Sequence, residues 1–274
     1  MTFLRTIGAT LVALPLSAAV ATAQDCKPAH EFKTVKEGVL SVAAYNVPPY
    51  VTVDATNFSG IDADIVKAIA EKECLKIKTF AVDPSAAVQY VTSGQADLMV
   101  GNWYRTAKRS EILGLSFPTY LDQMAVMSKD GLSAVKQFEG QGVGTIQGYL
   151  WTADVQKVFG EKTTVYPNTV AMAQDLSAGR ISVGFESFVV AKEAQKNGAY
   201  QGLQIKVIEG DSRIGASELP GQSNFPYTLD NKNLGAALDA DIQELHASGK
   251  IKEILTSYGL DPSAADVGEP RVIK

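Results

Sequence analysis

The chain has little of the side chains that most metal and acid–base chemistry relies on. Its 274 residues include two histidines, His30 and His246, and two cysteines, Cys26 and Cys74. These four do not form a cluster with zinc-ligand spacing, and no Ser-His-Asp or Cys-His set suggests a nucleophile. No metal and no cofactor are therefore expected. A basic excess is also missing: 25 Lys and Arg face 30 Asp and Glu, for a formal net charge of −5, which argues against nucleic acid as a partner. Beyond the first 23 residues no apolar run approaches a membrane span. The glycines of Gly142–Gly148 do not match G-x-G-x-x-G, so a nucleotide loop is not expected there.

The first 23 residues carry one charge, Arg5, followed by an apolar run from Ile7 to Ala21 and a small-x-small site, Ala21-Thr22-Ala23. This is the pattern of a secretory signal peptide, residues 1–23, with Pro15 inside a run too short to span a bilayer. Asp25 precedes Cys26, where a lipoprotein site would have a small residue. The remaining 251 residues hold 24 basic and 30 acidic groups, a mildly acidic chain long enough for two lobes. After export an isolated cysteine pair reads as a disulfide, Cys26 to Cys74, worth roughly 3–4 kcal/mol by loop closure. The alternative is two free buried thiols.

Strand and helix patterns alternate along the chain. Val39 to Ala44 reads as a strand. Asp62 to Glu73 reads as a helix, with Ile61, Ile65, Ala68 and Ile69 on one face. A strand at Ile77–Val82, a helix at Pro84–Ser93 and a strand at Leu98–Val100 follow, the rhythm of a mainly parallel α/β sheet. The pattern restarts with strands at Val143–Ile146, Thr164–Tyr166 and Ile181–Phe185. Helices at Leu150–Phe159, Thr169–Ala178 and Phe188–Asn197 alternate with them. The stretches around Gly94 and Gly179 echo each other at an offset of 85. Extended crossings are expected at Met124–Ser128 and near Asn224–Leu229, and two helices, Asn233–Ser248 and Ile251–Tyr258, end the pattern.

The most informative stretch is Asp97–Ser110, DLMVGNWYRTAKRS. A buried strand leads through a short loop to a helix opened by Thr106, a suitable N-cap. Arg109 then lies in the first turn, where the helix dipole disfavours a cation. An anion close by would explain it, through helix amides and a planar guanidinium. The bland alternative is a surface Arg paired with Glu111 or a neighbouring carboxylate.

This segment resembles the strand-loop-TxxR segment of the periplasmic amino-acid-binding proteins of ABC importers, solute-binding protein family 3. The resemblance covers most of the chain. It takes in GVLSVAAYNVPPY, SGIDADIVKAIAEK, TAKRSEILGLSFPTY (the family's TPERA…FSDPY), VGTIQGYLWTAD and AGRISVGFES. It implies a two-lobed type II periplasmic-binding-protein fold with the last helices returned to the first lobe. The expected division is 24–126 plus 225–262 for lobe 1, 127–224 for lobe 2, and a tail at 263–274.

Ligands of open α/β sheets lie beyond the carboxyl ends of strands. Four loops qualify: Tyr45–Tyr50, Asn102–Tyr104, Gly148–Trp151 and Glu186–Ser187. By resemblance, Arg109 grips a ligand carboxylate. Asn102 contributes backbone contacts, Tyr104 offers a hydroxyl to the same carboxylate, and Gly148, Tyr149 and Leu150 supply amides at a helix start. The family's acid for the ligand amine aligns with Ser187, the nearest carboxylate being Glu186, and its stacking aromatic aligns with Pro84. Tyr45, Trp103, Tyr104, Tyr149 and Trp151 are aromatics that attract cations, about half of them expected to touch ligand. A carboxylate joined to a substituted, methylated or displaced amine fits this set.

The expected function is periplasmic capture of an amino acid or a related zwitterion and its delivery to ABC permease subunits in the inner membrane, by a monomer with no nucleic-acid partner and no catalysis. The competing expectation is a cyclohexadienyl-dehydratase-like enzyme on the same fold, with Glu186 as its acid. A membrane-receptor sensor domain is disfavoured, since no spanning segment follows.

Overall fold

A computed structural model describes residues 26–273. The signal-peptide expectation falls on residues 1–23, outside that range. Strand β1 (Val39–Ala44) leads to a short hairpin of β2 (Thr52–Val53) and β3 (Phe58–Ser59). Helix α1 (Ile61–Lys72), β4 (Lys76–Ala81), α2 (Pro84–Thr92) and β5 (Leu98–Val100) follow. Next come β6 (Trp103–Tyr104), a single helical turn α3 (Ala107–Ser110), β7 (Leu113–Leu115) and β8 (Tyr120–Asp122). The middle of the chain forms β9 (Met124–Ser128), β10 (Val143–Ile146), α4 (Thr152–Phe159), β11 (Thr163–Tyr166) and α5 (Thr169–Ser177). It continues with β12 (Val183–Ser187), α6 (Phe188–Lys196), β13 (Gln204–Val207) and α7 (Gly215–Glu218). Strands β14 (Gly221–Asn224) and β15 (Pro226–Thr228) and helices α8 (Lys232–Ala247) and α9 (Lys250–Ser257) complete it.

Two five-stranded sheets share one plan: β4-β1-β5-β15-β7 and β11-β10-β12-β9-β13. In each, three strands run parallel and the fourth is antiparallel to the third. Apolar side chains of β1, β5, α1, α8 and α9 form the first core, around Val42, Ile65, Leu98 and Leu238. Phe138, Phe159, Val183 and Phe185 anchor the second. A third sheet, β6-β14-β8, is antiparallel and joins the two halves. The chain enters the second sheet between Asp122 and Met124 and leaves it for β14 at Pro220–Gly221. The crossings expected at Met124–Ser128 and Asn224–Leu229 therefore lie a few residues off, because β9 is wholly in the second sheet and β15 wholly in the first.

Two further elements differ from expectation. The strand expected at Ile181–Phe185 is shifted to Val183–Ser187, because antiparallel pairing with β9 continues through Glu186↔Ala125 and Ser187↔Met124. Glu186 and Ser187 are thus strand residues, on opposite faces of the sheet. The tail expected at 263–274 is laid against the connecting sheet. Gln222 Nε2 donates to the carbonyls of Val267 and Glu269 at 2.7 and 2.8 Å, and Ile273 bridges Thr106 as a parallel partner.

Cys26 and Cys74 are bonded, their Cα atoms 5.7 Å apart. The bridge ties the N-terminal arm to the end of α1. Thiol titration of the denatured, unreduced protein is expected to find none; two titratable thiols per chain would contradict the bridge.

Candidate functional site

A cleft of about 550 Å3 lies where the carboxyl ends of β1, β5, β10 and β12 meet, and it is lined from both sheets. Tyr45, Val47, Tyr50, Pro84, Asn102, Tyr104, Thr106 and Arg109 come from the first side. Gln147, Gly148, Tyr149, Leu150, Ser187 and Val190 come from the second, with Asp122 between them. All four expected loops contribute. Of the ten expected site residues, eight line the cleft and two, Trp103 and Glu186, do not.

Arg109 owes its position to a local cap and an aromatic floor. Thr106 Oγ1 accepts from Arg109 N at 3.2 Å, as an N-cap should. The helix stops after four residues, however, so little macrodipole exists for an anion to use, and the amide part of the expected site is slight. The guanidinium lies over Trp103, 4.7 Å from the ring centre, and donates one N–H to Tyr104 O at 2.6 Å. Trp103 is 7% exposed, packed with Ala43, Met99 and Leu113. It supports the Arg rather than facing a ligand. Burial lowers the Arg109 pKa below its ordinary value. Among the described residues no carboxylate lies within ion-pair distance of Arg109, which removes the pairing with Glu111 considered above.

The loop before it is held by a residue that no sequence signal singled out. Asp62, fully buried near the start of α1, accepts from Gly101 N at 2.8 Å, Asn102 N at 2.9 Å and Tyr120 OH at 2.7 Å. Asn102 is thereby fixed at φ 54°, and its amide is spent on Asp62 instead of facing a ligand. Gly101 must be glycine: at φ +131° a Cβ would lie 2.3 Å from the Tyr45 ring. Burial raises the Asp62 pKa to about 6, against these three hydrogen bonds, which lower it.

Asp122 is the second unforeseen residue, and it joins both halves. Its Oδ1 accepts from Tyr50 OH at 2.8 Å and Ser187 Oγ at 2.7 Å. Its Oδ2 accepts from Asn102 Nδ2 at 2.9 Å and from Tyr104 OH. Tyr104 was expected to offer its hydroxyl to the ligand carboxylate; it donates to Asp122 instead. The strand β14 passes under this ring at Gly221, where a Cβ would meet it at 3.0 Å.

Glu186 points to the other face of β12. It is fully buried and accepts from Thr169 Oγ1 at 2.8 Å and Ser187 N at 3.2 Å, with Tyr149 and Tyr200 beside it. Tyr149 separates it from the cleft. Trp151 is likewise buried in the second core, edge-on to Tyr149 at 5.0 Å. Of the five expected aromatics, Tyr45, Tyr104 and Tyr149 line the cleft. The helix expected from Leu150 begins at Thr152, since Tyr149–Trp151 form a turn closed by Thr152 N on Tyr149 O.

Burial raises the Glu186 pKa to about 7, from an ordinary 4.5. A carboxyl raised in the folded state adds stability that is complete below the unfolded value and is lost as pH rises through the folded one. Wild type should therefore lose up to about 3 kcal/mol from this group between pH 5 and pH 8. Glu186→Gln should show a visibly flatter dependence of melting temperature on pH over that window. Parallel curves for the two proteins would mean that Glu186 does not titrate there.

One group with metal-ligand spacing exists among the described residues: His30, Glu73 and Asp241, beside the disulfide and remote from the cleft. His30 Nδ1 lies 2.7 Å from Glu73 and Lys72 Nζ lies 2.9 Å from Asp241, so Lys72 already faces one of these carboxylates.

Comparison with known proteins agrees with this geometry. Residues 40–261 match the family described as bacterial extracellular solute-binding proteins, family 3. The lysine/arginine/ornithine-binding periplasmic protein of Escherichia coli (strain K12) is 23% identical over 264 residues, 91% of this chain and 96% of that protein. The second substrate-binding domain of GlnP from Lactococcus lactis, in its open conformation, superposes with a TM-score of 0.67 at 24% identity, over 83% of this chain and 98% of that one. An ancestral cationic amino acid solute-binding protein gives 0.68 at 15% identity, over 82% and 96%.

Proposed function

Because the chain belongs to the bacterial extracellular solute-binding proteins, family 3, and has their two-lobed type II fold, we propose that it is the exported binding protein of an ABC importer. On this reading residues 1–23 are its signal peptide. It captures an amino acid or amino-acid-like carboxylate between two lobes divided near Asp122–Met124 and Pro220–Gly221, closes on it, and presents it to the membrane permease. Arg109 carries this reading. It is a largely desolvated cation on the wall of a cleft with no carboxylate partner of its own among the described residues. Such a group costs free energy unless an anion arrives. A planar fork suits a carboxylate. Tyr45, Asn102, Tyr104, Gly148, Tyr149, Leu150 and Ser187 complete the proposed site, Trp103 supporting Arg109 from below.

Glu186 supports the competing enzymatic reading less well, because it is fully buried, does not line the cleft and accepts from Thr169 Oγ1. Prephenate and arogenate are expected to remain unchanged on incubation with the protein; formation of phenylpyruvate or phenylalanine would reverse this reading.

A thermal-shift screen over amino acids, betaines, opine-like conjugates and dicarboxylates tests the proposal. A ligand at 100 times its dissociation constant adds about 2.7 kcal/mol of stability. At least one carboxylate should raise the melting temperature, and none doing so would remove the proposal.

A further inference from the structure

We propose that His30, Glu73 and Asp241 form a site, outside the cleft, for one divalent transition-metal ion of the zinc class, which staples the N-terminal arm to α1 and α8. His30 Nδ1 lies 2.7 Å from Glu73 Oε1 and 3.6 Å from Asp241 Oδ1, and one donor atom from each residue falls within 4.8 Å of the others. Donors about 2.0–2.2 Å from a tetrahedral ion stand roughly 3.3 Å apart, so small side-chain adjustments close this triangle around one. The site escapes a sequence reading because its donors are scattered. The arm supplies the imidazole, the residue that caps the end of α1 is Glu73, and α8 brings Asp241.

Burial and missing partners set this group apart from an ordinary acidic patch. Asp241 is fully buried, and its Oδ2 has no hydrogen-bond partner among the described residues. Glu73 is 2% exposed, so two carboxylates lie side by side out of water, which costs free energy unless cations meet them. Lys72 Nζ, 2.9 Å from Asp241 Oδ1, is shared with Glu244. His30 is held in place beforehand. The Cys26–Cys74 bond keeps the arm beside Glu73, and His30 N donates to Glu73 Oε2 at 3.1 Å. A cavity of about 680 Å3, lined by His30, Glu73, Phe32 and Leu75 among others, gives an ion and its remaining water a way in.

The donor set selects the ion. One imidazole nitrogen and two carboxylates suit Zn2+ and its first-row neighbours, whereas Ca2+ and Mg2+ ask for more ligands, all of them oxygen. Both cysteines are bonded, so no thiolate competes. Binding requires Lys72 to leave Asp241, and the exposed Glu244 is there to keep its ammonium. In the competing arrangement an imidazolium on His30 and the Lys72 ammonium satisfy the two carboxylates between them, and added zinc finds no site.

The untagged protein, its disulfide intact and its metal removed by a chelator, is titrated by calorimetry with Zn2+ alone and, in parallel, with Ca2+. Zn2+ is expected to bind once per chain with a dissociation constant of about 10 μM or tighter, and Ca2+ at least about a hundredfold more weakly. His30→Gln removes the nitrogen donor on a partly exposed arm and should weaken Zn2+ at least about tenfold. Lys72→Met removes a competing cation and no donor, so it should tighten Zn2+ at least about threefold. That gain separates a metal site from an ion-pair network, in which Lys72 has only a structural part. X-ray absorption of the Zn2+ complex should show one imidazole among nitrogen and oxygen donors. No saturable Zn2+ binding overturns the proposal. So does binding that His30→Gln leaves unchanged, an equal affinity for Ca2+, or a Lys72→Met variant that binds Zn2+ no better than wild type.

Discussion

Arg109→Ala is expected to lower affinity for the ligand at least thirtyfold while leaving the ligand-free melting temperature nearly unchanged. The side chain makes a single hydrogen bond to the protein, to Tyr104 O, and otherwise rests on Trp103. Its removal therefore takes little from the fold. What it removes is the group proposed to meet the ligand carboxylate inside the cleft, and truncating one partner of such a buried charged pair costs about 2–5 kcal/mol. Arg109→Lys should also weaken binding, since a point charge cannot reproduce a planar fork and would stack less well on Trp103. Calorimetry on the two variants measures this. An Ala variant that binds within about threefold of wild type would return Arg109 to a solvated surface role.

The second large effect belongs to Asp62. Asp62→Ala is expected to destabilise the protein by about 3–5 kcal/mol, because the Gly101 and Asn102 amides lose their acceptor in a buried place and each orphaned donor costs about 1–3 kcal/mol. Tyr120 OH can turn to Ser223, so it adds less. For a chain of this size the melting temperature should fall by about 10 °C. The loop that carries Asn102 to Tyr104 would also lose its anchor, so affinity should fall with stability. Asp62→Asn keeps one carbonyl oxygen for the two amides and should cost less than half as much. Denaturant unfolding of the three proteins is the measurement. A loss below 1 kcal/mol for the Ala variant would mean that the loop finds other partners.

Much of the architecture was legible because it follows local rules. Strands Leu98–Val100 and Val143–Ile146 appear with the bounds read from their apolar runs, and α1 and α5 within a residue of theirs. The Thr106 cap was legible for the same reason, being decided within three residues. Val183–Ser187 was displaced because its length depends on pairing with β9, about sixty residues earlier, which a local window does not contain. The cleft loops followed from the rule for strand ends. What they hold inside did not. Asp62 reads as an ordinary acid in the first turn of a helix, and its partners lie 39 and 40 residues later. Asp122 left one signal that could have been used: a lone carboxylate between the buried Tyr120 and Met124, in a stretch with no other charge, must be compensated by something. Trp103 and Trp151 were overvalued because indoles suit a core as well as a ligand wall, and only packing distinguishes the two.

The end of the chain has an effect that its position in the sequence conceals. Ile273 accepts from Ala107 N at 2.8 Å and donates to Arg105 O at 2.9 Å, and Arg271 N donates to Gln222 at 2.8 Å. The last few residues are thus the outer wall of the turn that aims Arg109. Replacing the Arg271–Ile273 segment by a Gly-Ser stretch of the same length would disturb the proposed site without touching a single cleft residue. The reverse also holds: a ligand that stills Arg109 would slow deuterium uptake at Ala107 and Ile273, letting a segment more than 160 residues from Arg109 in sequence report occupancy.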